Sequence, residues 1–215
     1  DTQCAPITQL AAGDANTCAL AAGAVTCWGQ AAAIDPTSPA PILAPTTLAT
    51  PPLTAIALGA QHGCGLDAAG AVHCWGSGPS AAAFTAPATH VASGAGWTCT
   101  LGAAITCSDG TTTYTRPGSA TVRGQPSGPS PTLSVNASAA CAAPAEAYSH
   151  QIACWSHADP LTTVTLPVGV ADRIGGLGAG PTEHFAWELT GPRIARWTPP
   201  ATAVTGRFGW TYNLV

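Results

Sequence analysis

One segment of this chain recurs, and the recurrence limits what the chain can fold into. Residues 17–29 read T-C-A-L-A-A-G-A-V-T-C-W-G, and residues 63–76 repeat the pattern as G-C-G-L-D-A-A-G-A-V-H-C-W-G. Looser copies span residues 98–110 and 140–155. A motif made four times in 215 residues predicts a repeat architecture, in which small units stack because none can bury its apolar face alone.

The spacing within each copy predicts a β-hairpin. In the first copy, Cys18 opposite Cys27 leaves residues 22–23, Ala-Gly, as a two-residue turn with glycine where a positive φ is required. The same register places Leu20 opposite Val25, and equivalent apolar pairs follow in the second and third copies. Directly opposed Cα atoms lie roughly 4.5–5.5 Å apart, within the range of about 4.4–6.8 Å that a disulfide tolerates. Each hairpin is therefore predicted to carry its own disulfide.

The nine cysteines indicate a protein that folds outside a reducing cytosol. The hairpin registers use eight of them, in the pairs Cys18 with Cys27, Cys64 with Cys74, Cys99 with Cys107, and Cys141 with Cys154. Cys4 is left over, and an odd cysteine in a secreted protein favours a bond between chains. Metal binding is the weaker alternative because no C-x-x-C occurs, so no metal site is expected.

A fifth unit lacks cysteines. In residues 184–197, Phe185 and Arg196 take the cysteine positions, and Trp197 falls where Trp28 does. Upstream of the first three hairpins, short apolar segments end in a glycine five residues before the first cysteine, which predicts a further strand for each unit. Five units of about 43 residues, each with three or four short antiparallel strands, predict an all-β fold: a small β-propeller forming one domain over residues 1–215.

The pattern of apolar strand, glycine, C-x-L, glycine turn and V-x-C-W-G resembles the repeats of the regulator of chromosome condensation family, particularly its cysteine-bearing secreted, bacterial-type versions. The likeness is strong over residues 17–29 and 63–76 and weaker in the later copies. It implies a β-propeller with one four-stranded blade per repeat. The nucleotide-exchange and chromatin activities of the founding member are not implied, because the charged contact surfaces that they need have no counterpart here.

Composition excludes several classes of partner. Only 7% of the residues are charged, the six basic residues are all arginine, and the formal net charge is -4, so a nucleic-acid partner is not expected. No run of about 18 apolar residues occurs, so membrane insertion is not expected either.

Catalytic motifs are missing from the sequence. It contains no G-x-S-x-G, H-E-x-x-H, P-loop or G-x-G-x-x-G pattern, and no carboxylate keeps a constant spacing from a histidine. We therefore expect no enzyme activity, no catalytic residue and no cofactor. The six histidines are interpreted as surface or blade-packing residues; they are His62, His73, His90, His150, His157 and His184.

Two features suggest modification or assembly. Serine and threonine among prolines resemble O-glycosylated segments, with Thr46, Thr47 and Thr112 as candidates, and Asn136 begins a formal N-glycosylation sequon. The alternating aromatic residues Phe208, Trp210 and Tyr212 predict a C-terminal strand without a hairpin partner in its own repeat, which would close a ring within one chain or extend an assembly between chains.

Two functions remain open. The first is a secreted, non-catalytic structural or adhesive propeller, a subunit of an extracellular fibre that associates with itself. The alternative is an extracellular module that binds another protein or a glycan, with aromatic residues such as Trp97, Tyr114, Trp187 and Trp210 as the contact surface. A size measurement on native material separates the two.

Overall fold

The computed structural model describes residues 5–117, 132–143, 151–158, 164–167, 174–180, 182–188, 193–197 and 211–214. The chain divides into two compact units, Asp1–Thr115 and Arg116–Val215. Whether residues 1–215 act as one domain stays a prediction. The described residues hold β-strands and two short 3-10 helices, Ala31–Ala33 and Ala81–Ala83. Among them, no helix is long and apolar enough to cross a bilayer.

The described strands form five antiparallel sheets, which we call blades 1 to 5. Blade 1 contains β1 to β4, at Ile7–Ala12, Asn16–Ala21, Ala24–Gly29 and Ile42–Thr47. Blade 2 contains only β5 to β7, at Leu53–Leu58, His62–Asp67 and Val72–Gly76. Blade 3 contains β8 to β11, at Ala88–Ser93, Thr98–Gly102, Ala104–Ser108 and Thr113–Pro117. Blade 4 contains β12 to β15, at Thr132–Val135, Ala139–Ala143, Gln151–Ser156 and Val164–Pro167. Blade 5 contains β16 to β19, at Ile174–Ala179, His184–Glu188, Arg193–Trp197 and Thr211–Leu214.

The hairpins have the predicted registers. Cys18 pairs with Cys27 across β2 and β3, and Leu20 pairs with Val25. The turn between them places both of its residues at positive φ, 48° for Ala22 and 83° for Gly23, as a type I′ turn requires. Disulfides join the same four pairs that the sequence spacing predicts, with Cα atoms 4.0–4.1 Å apart.

An identical backbone turn opens the hairpin of every blade. The amide of Gly13 donates to the carbonyl of Asn16, three residues later, at 2.9 Å. The corresponding bonds in blades 2 to 5 measure 2.8–2.9 Å and join Gly59 to His62, Gly94 to Trp97, Asn136 to Ala139 and Gly180 to Glu183. Blade 5 therefore has the same turn as the other four blades although it lacks their cysteines.

Glycine at this turn permits close stacking of neighbouring blades. A Cβ on Gly13 would collide with the carbonyl oxygen of Gly59, and a Cβ on Gly59 would collide with that of Gly94. The side chain of Asn16 adds an inter-blade hydrogen bond of 3.1 Å to the carbonyl of Ala60. Blades 1, 2 and 3 are thus in direct backbone contact along this edge.

We call the first strand of each blade its inner strand. In blades 1 to 3 this strand contains a β-bulge, which the sequence pattern did not predict. The register of β1 shifts between Ile7 and Gln9, and the hydroxyl of the intervening Thr8 donates to the carbonyl of Leu20 at 3.1 Å. Thr54 and Thr89 make the same bond in blades 2 and 3, at 3.1 and 3.0 Å. Because the bulge adds a residue, side chains three positions apart, such as Leu53 and Ile56, fall on one face of the strand.

The two inter-blade cores of Asp1–Thr115 each join the disulfide face of one hairpin to the inner strand of the next blade. Between blades 1 and 2, the core contains Cys18, Leu20, Val25, Cys27, Ile34, Leu53, Ile56 and Leu58. Trp75 of blade 2 packs against the same core, whereas Cys64 of blade 2 belongs to the core shared with blade 3. The tryptophan and the disulfide of one hairpin therefore lie on opposite faces, as strand alternation predicts.

The prediction for the C-terminal strand was wrong in one respect. Tyr212 lies in β19, which pairs with β18 of its own blade, with Tyr212 opposite Ala195. The strand is thus the fourth strand of blade 5 and does have a partner in its own repeat. Phe208 and Trp210, with Cys4, lie outside the described residues.

Candidate functional site

In the unit Asp1–Thr115, one face of blade 1 exposes several apolar side chains to solvent. We define the first-blade face as the side chains of Ile7, Leu10 and Ala12 on β1, together with Trp28 on β3. Ile7 is 59% exposed and Leu10 is 63% exposed, and Ala12 is exposed as well. Trp28 is half-buried and occupies the position that Trp75 has in blade 2. Three apolar side chains of one strand thus face solvent together.

The equivalent positions in blade 2 are covered. Leu53, Ile56 and Leu58 correspond to Ile7, Leu10 and Ala12, and they are only 3%, 2% and 6% exposed. Their cover is the disulfide face of the preceding hairpin. The residues at the Leu10 position in blades 4 and 5 are also buried, Leu133 at 8% and Leu177 at 9% exposed. Blade 1 therefore has an inter-blade surface without the covering hairpin.

The opposite face of β1 is already engaged in the contact with blade 2. The side-chain amide of Gln9 donates to the carbonyl of Ile56 at 2.7 Å, and its oxygen accepts from the amide of the same residue at 2.9 Å. Gln9 thus binds the backbone of β5 as a neighbouring strand would. These two hydrogen bonds hold β1 against blade 2, and the first-blade face lies on the other side of the strand.

A second exposed leucine provides a comparison. Leu43 is 86% exposed on β4, the outermost strand of blade 1, where the neighbouring residues of the strand are exposed too. It has no equivalent in an inter-blade core, and Pro45 removes one backbone donor from this edge. Leu43 is therefore an ordinary surface residue of an edge strand, whereas Leu10 belongs to a face that is a packing surface elsewhere in the chain.

Buried polar groups at the blade junctions act as structural contacts. Nε2 of His62 lies 2.8 Å from the Thr98 hydroxyl, which lies 2.8 Å from the hydroxyl of Ser93. His62 is 1% exposed, and burial lowers its pKa to about 4. In the second unit, Nδ1 of His184 lies 2.7 Å from the Ser134 hydroxyl, and burial lowers the pKa of His184 to about 4 as well. Both imidazoles are neutral at physiological pH.

The described residues give no support to a metal or acid–base site. Within them, no three His, Cys, Asp or Glu side chains come together in a way that could hold a metal ion. His73 pairs with Asp67 at 3.0 Å at the surface, and this contact lowers the pKa of Asp67. His150 lies outside the described residues.

One of the four aromatic residues proposed from the sequence as a contact surface is buried. Trp97 is completely buried, with its ring centroid 6.5 Å from that of Tyr114, so it is a core residue of the first unit and cannot contact a ligand. Tyr114 is half-buried. The side chain of Trp187 and all of Trp210 lie outside the described part of the chain.

The glycosylation of Asn136 stays a prediction, and the structure places this residue in a buried turn. Asn136 is 3% exposed, and its Oδ1 accepts hydrogen bonds from the amides of Ser138 and Ala139 at 3.0 and 2.9 Å. It occupies the turn position that glycine holds in the four other blades. Thr46, Thr47 and Thr112 are exposed, and their O-glycosylation stays a prediction.

The comparisons with known proteins agree with the blade geometry. Residues 53–80 match the model of the regulator of chromosome condensation (RCC1) repeat, a stretch that covers β5 to β7. No curated protein matches the sequence. The fold is that of an RCC1-like β-propeller.

Three solved propellers illustrate the likeness. The WD40 ectodomain of the Arabidopsis thaliana receptor kinase ACR4 is 19% identical with a TM-score of 0.58, covering 90% of this chain and 64% of its own. Prp20p from Saccharomyces cerevisiae is 15% identical with a TM-score of 0.60, covering 89% and 58%. The ectodomain of the Physcomitrella patens receptor kinase CR4 is 22% identical with a TM-score of 0.55, covering 90% and 50%. This RCC1-like chain thus spans 50–64% of the length of these three proteins.

Proposed function

We propose that this chain is an extracellular, non-catalytic protein-binding module that binds its partner through the first-blade face. The observation that carries the proposal is the exposure of Ile7 and Leu10, at 59% and 63%, at positions whose equivalents in blade 2, Leu53 and Ile56, lie in the inter-blade core. Exposed contiguous apolar surface of this kind marks interaction sites in soluble proteins. A face shaped to receive a protein hairpin favours a protein over a glycan.

An extracellular location is supported by two further observations. Four disulfides within single hairpins form and persist in oxidising compartments. Two of the similar propellers are ectodomains of receptor kinases. The binding of Gsp1p and histones, studied for Prp20p, is not carried over, because only 7% of the residues of this chain are charged.

The glycan alternative is weaker than the protein alternative. Sugar-binding sites use exposed aromatic rings, and Trp97 is buried. The first-blade face has aliphatic side chains on β1 and one half-buried indole. These groups match the apolar centre of a protein interface.

Photo-crosslinking tests the proposal directly. A variant in which Leu10 is replaced by p-benzoylphenylalanine is secreted and irradiated in the medium of the producing cells. The control variant has the same photoreactive residue at Leu43. We expect a discrete protein adduct from position 10 and none from position 43. Adducts from both positions, or from neither, would contradict the proposal.

A further inference from the structure

Blade 2 shows what kind of partner fits the first-blade face, because the corresponding surface of blade 2 is covered. In blade 2, Leu53, Ile56 and Leu58 pack against the disulfide face of the blade 1 hairpin, where Leu20 and Val25 are 2% and 0% exposed. Blade 3 repeats the arrangement, since Ala88 shares a core with Cys64, Leu66 and Val72. The inner strands of blades 2 and 3 are thus covered by hairpins of the repeat itself.

We infer that the first-blade face binds a hairpin of this repeat type, supplied by the β17–β18 hairpin of a second copy of this chain. This inference rests on the proposed function and names its partner. The contact continues the series of blade interfaces seen between blades 1, 2 and 3, with the same hairpin register.

The β17–β18 hairpin has the required register. Phe185 pairs with Arg196 where Cys18 pairs with Cys27, and Trp187 pairs with Ile194 where Leu20 pairs with Val25. Apolar residues therefore stand at three of these four positions. The position of Trp187 relative to Leu10 of the second copy corresponds to that of Leu20 relative to Ile56 within the chain.

Electrostatics permit such self-association. The residues of the first-blade face are uncharged, and the whole chain has only ten acidic and six basic residues. Repulsion between two copies is therefore weak. Arg196 is the charged residue among the four hairpin positions, and its charge would weaken the contact unless the guanidinium keeps its contact with water. A head-to-tail contact of this kind joins two different surfaces, so it propagates from copy to copy unless the ring closes.

Thiol crosslinking tests the inference on purified protein. Leu10→Cys and Trp187→Cys are made in separate chains, both with Cys4→Ser, mixed in equal amounts and treated with a bis-maleimide that spans about 10 Å, the separation of stacked sheets. We expect a product of twice the 21.2 kDa chain mass that contains one chain of each kind. The control mixture uses Leu43→Cys with Trp187→Cys, and we expect no such product from it. Products joining only Leu10→Cys chains to each other would overturn the head-to-tail arrangement.

Two further outcomes separate this inference from the proposed function. A single chain with both Leu10→Cys and Trp187→Cys that is crosslinked internally, at the mass of one chain, would overturn binding of a second copy. If Trp187→Cys fails to fold, Ile194→Cys replaces it on the opposite strand with the same expectation. In the photo-crosslinking experiment, an adduct from position 10 with a mass other than twice 21.2 kDa overturns self-association while the protein-binding function stands.

Discussion

The hydroxyl of Thr98 in blade 3 lies 2.8 Å from Nε2 of His62 in blade 2, and both side chains are buried, at 0% and 1% exposure. This contact ties two blades together through a group whose charge depends on pH. Asn16 occupies the same position in blade 1 and bonds to blade 2 through an amide that cannot be protonated.

Mild acid should therefore lower the free energy of unfolding, at pH values above those at which most carboxylates become protonated. Burial lowers the pKa of His62 to about 4, below the ordinary 6.5, so the unfolded chain binds more protons between these values. The free energy of unfolding should fall as the pH drops from about 6.5 to about 4, by up to roughly 3 kcal/mol for this histidine, and stay level above pH 7. Urea unfolding at pH 7 and pH 5 measures the loss.

The substitution His62→Asn isolates this effect, because Asn is the residue that blade 1 uses. We expect the variant to lose less stability between pH 7 and pH 5 than the wild type. The surface variant His73→Asn is the control and should keep the wild-type dependence, since His62 and His184 remain. Equal pH dependence in His62→Asn and wild type would show that His62 does not titrate as described.

Removing one disulfide should lower stability without changing the fold. Cys18 and Cys27 close a loop with a sequence separation of 9, which stabilises by about 2–3 kcal/mol in the chain-entropy model. The double variant Cys18→Ala with Cys27→Ala should lose roughly this amount in denaturant unfolding. The pair Cys141 and Cys154, with a separation of 13, should cost slightly more. Variants as stable as the oxidised wild type would contradict the stabilising role of the bonds.

The turn between β2 and β3 contains a residue that the sequence does not favour there. Ala22 has a φ of 48°, a conformation that costs an alanine about 1 kcal/mol and that asparagine adopts more readily. Ala22→Asn should therefore stabilise the protein by about 0.5–1 kcal/mol in thermal or urea unfolding. Ala24→Asn, in the adjoining strand, is the control and should give no gain. A destabilised Ala22→Asn variant would contradict the turn geometry.

The hairpin of blade 5 should accept a disulfide that evolution did not place there. Phe185 lies opposite Arg196 in the register that the other hairpins use for cysteine pairs. The double variant Phe185→Cys with Arg196→Cys should form the bond on oxidation, as detected by non-reducing peptide mapping, and unfold at higher urea concentration than its reduced form. Two thiols that stay free under oxidation would contradict the register.

What the sequence predicted well is local. Cys18 and Cys27 are separated by a short turn, so their register follows from spacing and turn chemistry alone. Even the fifth hairpin could be recognised, because Trp197 and Phe185 keep their offsets. The upstream strands of blades 1 to 3 were predictable for the same reason, since a glycine follows the end of each.

What the sequence could not give is set by contacts between strands. Trp97 is fully buried, with its ring 6.5 Å from that of Tyr114 on β11 of blade 3, and sequence spacing does not reveal this contact. Tyr212 was separated from its partner strand by a segment without repeat signals, so its pairing with Ala195 could not be read from spacing. The open face at Leu10 was equally hidden, because its sequence resembles that of the covered strand at Ile56.

Sedimentation equilibrium tests the association through the first-blade face most directly. The wild type, the double variant Ile7→Glu with Leu10→Glu, and the control Leu43→Glu are compared over a range of concentrations, all with Cys4→Ser. We expect the wild type and the control to exceed 21.2 kDa as concentration rises and the double variant to stay at that mass, with all three equally stable to urea. A wild type that remains at 21.2 kDa at every concentration, or a double variant that associates as the wild type does, would contradict the account.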